Sequence, residues 1–143
     1  MSSERPERPL ALAVLEEELR SLASDFDRVA ALTDTGERAA RTVDLLRALD
    51  RYLRLEAEVL LPVLERTGFD AGPVRRSHAE VRAMIGQAEF RGLAQLRAAF
   101  EAHAQSQRER AFPAACRLPG AEQEALAYEL DEVRNRMRGA YGV

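Results

Sequence analysis

Apolar residues recur every three or four positions along most of the chain, the period of helices with one buried face. The first run, Leu12, Leu15, Leu19, Leu22, Phe26 and Val29, predicts a helix from about Pro9 to Leu32. Pro9 suits a first turn, where a missing N–H costs nothing. Thr33–Gly36 breaks the pattern, and Asp34 with Glu37 three residues on has capping-box character. A second helix runs to about Arg66, with the stripe Leu45, Leu49, Tyr52, Glu56, Val59 and Val63. Pro62 is expected to kink it and Gly68 to stop it. A third helix, with Asp70 as cap, has the stripe Val74, His78, Val81, Ile85 and Ala88. A fourth, from about Leu93 to Cys116, has Leu96, Phe100, His103, Gln107 and Ala111, with Pro113 as a second kink. Arg117–Gly120 reads as a turn. A last amphipathic helix, about Ala121 to Met137, carries Leu126, Tyr128, Leu130 and Val133.

The connections are short, so successive helices should reverse direction. The expected fold is all-α: an antiparallel up-down-up-down four-helix bundle plus an additional C-terminal helix. Residues 1–8 read as a disordered tail, 9–138 as one domain and 139–143 as a frayed end. Composition agrees: 143 residues suit one core, and Ala, Leu, Glu and Arg are strong helix formers.

Charge and cysteine usage narrow the function. The net charge is −3 with both signs interspersed and no basic block, so nucleic acid is not an expected partner. No run approaches the roughly 18 apolar residues of a membrane span, and the polar start has no signal-peptide core. A cytoplasmic protein is expected. Cys116, the one cysteine, is read as a semi-buried passive thiol. The run Glu16–Glu18 is read as a solvated face, and Arg82 as reaching solvent or a surface carboxylate. The last helix is expected to cover the bundle or to form a homodimer contact. No Gly-rich phosphate loop or nucleophile turn is present, so an enzyme is not the leading expectation.

The informative residues are polar ones on inward stripes. Tyr52, Glu56 and Pro62 are matched by His103, Gln107 and Pro113 at the same spacing. The chain's two histidines, His78 and His103, both lie on stripes, as does Glu56. A buried carboxylate is costly without a partner. A transition metal is one partner that suits imidazole and carboxylate together, and bundles build such sites from facing helices. A satisfied core histidine is the plainer alternative.

These motifs resemble those of the hemerythrin-like family, the HHE cation-binding domains. YLRLEAEVLLP, SHAEVRAMI and HAQSQRERAFP follow the family's order, with a proline ending each of two ligand helices, over about residues 10 to 115. The family pattern is a first-helix His, then His-x-x-x-Glu, a single His, and a second His-x-x-x-Glu. Here Leu19, Tyr52 and Gln107 stand at three of those positions, and Glu56, His78 and His103 remain. The losses fall on one of the family's two iron positions. The resemblance therefore implies a reduced site for one metal held by Glu56, His78 and His103, with Tyr52 and Gln107 as accessories. Iron is favoured, and zinc or manganese also fit. Tyr52 is expected to hydrogen-bond Glu56 rather than ligate. The alternative is a metal-free bundle serving as a scaffold or interaction module; a third reading, less favoured, is an enzyme with oxygen or redox chemistry at the iron.

Overall fold

The computed structural model describes residues 10–88 and 92–140, and the side chains of these up to Met137. Those residues form helices α1 (Leu10–Ala31), α2 (Thr35–Leu55), α3 (Leu61–Glu65), α4 (Gly72–Ile85), α5 (Leu93–Ser106), α6 (Phe112–Cys116) and α7 (Gly120–Ala140). Two π-turns join them: π1 (Glu56–Leu60) links α2 to α3, and π2 (Gln107–Ala111) links α5 to α6. The chain is thus all-helical, in five rods, with no strand among the described residues. The tail expected over 1–8 and the end at 141–143 lie outside the described residues. The final helix reaches Ala140, into the segment expected to fray.

Local chemistry sets the boundaries. Asp34 is the N-cap of α2, its Oδ2 accepting from Glu37 N–H at 2.8 Å. Gly68 takes φ +94°, a left-handed conformation that side chains resist, and Phe69 N–H reaches back to Leu64 O at 3.3 Å. Asp70 Oδ1 accepts from Gly72 N–H at 3.0 Å, but the N-cap of α4 is Ala71, not Asp70 as expected, and no side chain caps that helix.

Both prolines sit directly after a π-turn instead of at a simple kink. Pro62 and Pro113 have no N–H to give, and their rings crowd the carbonyl one turn back. The preceding turn widens, so that Leu61 N–H bonds Glu56 O and Phe112 N–H bonds Gln107 O. Such widened turns cluster at functional sites, and each one begins at a polar residue of the repeated motif.

The six stripe residues of α1, Leu12, Leu15, Leu19, Leu22, Phe26 and Val29, are all buried. Phe26 meets Phe100 of α5 with ring centroids 5.4 Å apart, and Arg97 lies over the Phe26 ring at 5.9 Å. α1 packs against α2, α5, α6 and α7; α4 packs against α2, α5 and π2; α7 also contacts α2 and π1. Leu126, Leu130, Val133 and Met137 are the inward side of α7. Tyr128, expected on that stripe, is 72% exposed. Residues 126, 128 and 130 alternate by two, so a helix cannot bury all three on one face.

Further surface expectations are corrected. Cys116 is exposed, not semi-buried. Arg82, in keeping with its expected pairing with a surface carboxylate, bonds Asp50 across to α2 at 2.7 Å. The Glu16–Glu18 run is not simply solvated: Glu16 accepts from Arg108 at 3.1 Å, and Glu18 lies 3.7 Å from Arg134. No described helix is long and apolar enough to cross a membrane.

Candidate cation site

Among the described residues, four polar side chains have no solvent exposure: Tyr52, Glu56, His103 and Gln107. α2 and π1 supply the first two, one helical turn apart; α5 and π2 supply the others at the same spacing. The two pairs join crosswise. His103 Nε2 lies 2.8 Å from Glu56 Oε2 and 2.9 Å from Oε1. Tyr52 donates its hydroxyl hydrogen to Gln107 Oε1 in a short bond. Since Tyr52 corresponds to His103 and Glu56 to Gln107, exchanging the two motifs converts each bond into the other. Tyr52 therefore bonds Gln107, not Glu56 as expected from the sequence.

Electrostatics keeps Tyr52 a neutral donor. Burial, then the nearby Glu56 carboxylate, push its hydroxyl well above the ordinary tyrosine range, and the Gln107 bond offsets this only in part. Gln107 Oε1 is satisfied, but its buried Nε2 has no partner among the described residues. An unmet buried donor of this kind costs about 1–3 kcal/mol.

His78 stands at the edge. Its side chain is 15% exposed, and Nε2 lies 3.1 Å from Leu53 O and 3.9 Å from Glu56 Oε1. A carbonyl can only accept, so Nε2 carries the hydrogen of that bond. The two imidazole rings are edge to face, with centroids 5.9 Å apart.

Behind His103 stands Ser77, which nothing in the stripe pattern marks. Its Oγ is 2.6 Å from His103 Nδ1 and donates to Val74 O at 3.0 Å. The signal available in the sequence was only its position beside His78, on a helix facing α5.

Glu56 and His103 are thus in contact and His78 is their near neighbour. Among the described residues no group of three or more His, Cys, Asp or Glu is placed so that it could hold a metal ion. The donor set nevertheless suits a transition metal. Zinc–nitrogen and zinc–oxygen bonds of about 2.0–2.2 Å put two ligands of one ion about 3–3.5 Å apart. Glu56, His103 and His78 are the residues that would hold such an ion. Comparisons with protein-family models, with curated proteins and with solved structures find no match for this chain.

Proposed function

We propose that this protein is a divergent hemerythrin-like antiparallel four-helix bundle, closed by a fifth helix, that holds one cation between Glu56 and His103, with His78 as third ligand. The observation that carries the reading is the direct approach of a fully buried imidazole nitrogen to both oxygens of a fully buried carboxylate. Such a contact is favourable only with a hydrogen or a cation between the nitrogen and the carboxylate.

When bound, an iron, zinc or manganese ion would supply that charge and Lewis acidity. The chain's own residues do the rest. Glu56 provides the only fully buried carboxylate among the described residues. Tyr52 and Gln107 occupy the other half of the crossed arrangement as a neutral pair, which supports a site for one cation rather than two. The packed leucines around them exclude water. The role is cation binding.

The crossed bonds also favour a second reading, a metal-free bundle in which Glu56–His103 and Tyr52–Gln107 are self-sufficient internal pairs. Metal analysis separates the two. Protein purified without chelator and then loaded with Fe(II) or Zn(II) is expected to retain about one equivalent. Retention below about a tenth of an equivalent overturns the cation reading and leaves the metal-free bundle.

A further inference from the structure

One side of α7 covers the bundle and the other faces outward. We propose that the groove between the start of α1 and α7 is a self-association surface, filled by a second copy of this chain whose α7 runs antiparallel about a twofold axis beside Tyr128. This surface is independent of the cation reading above.

The large apolar side chains that stand exposed among the described residues are Leu10, Val43 and Tyr128. Leu10, 70% exposed, and Tyr128, 72% exposed, line this one groove together with Val14 and Ala127. Its volume is about 710 Å³. A single exposed apolar residue is ordinary; two that share a groove mark a contact surface. Tyrosine suits the middle of such a contact, because its rigid ring buries a large area while its hydroxyl can stay wet.

The charges of the groove select the occupant. Glu124 and Arg134 both line it, about 15 Å apart along the α7 axis. Glu124 is exposed and has no cationic partner among the described residues. Arg134 is held in place by Asp131 at 3.2 Å and Glu18 at 3.7 Å, with further N–H donors to give. A helix face with an acid toward one end and a base toward the other complements a copy of itself when the two run antiparallel. Each Glu124 then meets Arg134 of the other copy, whereas a parallel pair sets like charge against like. Twofold dimers use the same patch on both subunits, so the one complementary pair forms twice. The axis falls midway between Glu124 and Arg134, which lays each Tyr128 against the groove of the other copy.

Sedimentation velocity from about 1 μM to about 1 mM protein tests this. Wild type, Tyr128→Glu, Glu124→Arg and Val43→Glu are compared. All three positions are exposed, so the variants should fold as wild type does. Wild type is expected to pass from monomer to a species of twice the mass as concentration rises. Tyr128→Glu puts a charge at the centre of the contact and should raise the dimer Kd at least about 30-fold. Glu124→Arg sets arginine against arginine at both ends and should raise it about 10-fold. Val43→Glu, on α2 and outside the groove, should leave it within about twofold of wild type. A wild type that stays monomeric at every concentration overturns the proposal, and so does a dimer that Tyr128→Glu leaves intact. A dimer lost with Tyr128→Glu but untouched by Glu124→Arg overturns the antiparallel pairing.

Discussion

Glu56 and His103 depend on each other because neither has water to turn to. Glu56→Leu removes one partner and leaves a buried imidazole facing hydrocarbon, which should cost about 3–5 kcal/mol. Glu56→Leu with His103→Leu replaces both by apolar groups and should cost much less than that single change. Urea titrations of the single and double variants measure the coupling, and additive losses would contradict it. Tyr52 gives a pH signature. Its folded-state pKa is raised, so its contribution to stability is complete below the unfolded value of about 10 and is lost as pH rises through the folded value. Wild type should therefore lose stability above about pH 10, and Tyr52→Phe, though weaker at neutral pH, should lack that share of the decline. Helicity followed from pH 8 to 11.5, at roughly half-unit steps, checks this. The inward positions of Glu56, His103 and Gln107 were legible from helical spacing alone. Ser77 was not, because a hydroxyl beside a stripe residue looks like any surface serine until the facing helix is placed. Nor was the Tyr52–Gln107 bond: periodicity states which side a residue faces, not which neighbour it reaches.

Among the elements, boundaries were the most legible, since caps and stops are written locally. Asp34→Ala should remove the α2 cap, costing about 1 kcal/mol and about 2–4 °C in thermal midpoint. A scanning calorimeter resolves that change, and no shift would mean that the cap contributes nothing. The π-turns were not legible. A proline in an apolar period reads as a kink, whereas here the backbone widens by one residue and resumes. The choice depends on packing: Leu61, Leu64, Phe112 and Ala115, on either side of the prolines, are all buried, and the wider turn brings them inward. The alternation in α7 misled for a related reason. Leu126 and Leu130 share a face, and Tyr128 between them points away.

For the assembled bundle, cation binding and stability are one equilibrium. A ligand at 100 times its Kd adds about 2.7 kcal/mol to the folded state. Zinc in such excess should raise the thermal midpoint and EDTA should return it; an unmoved midpoint at every zinc concentration would favour the metal-free bundle. The all-helical class and the five rods were legible because the apolar period runs through most of the chain. The partner of each exposed charge was not. Arg82 with Asp50 and Arg108 with Glu16 join residues far apart in sequence, and such surface pairs add only about 0–1 kcal/mol each. The crossed bonds reach further. Tyr52 clasps the far motif one turn above its counterpart, and His103 clasps back by the same step. Sliding either rod along its axis would lengthen one clasp and compress the other, so the two together work as a dowel that sets how far each helix may travel. A one-residue insertion between Tyr52 and Glu56 would therefore disturb the opposite rod as much as its own.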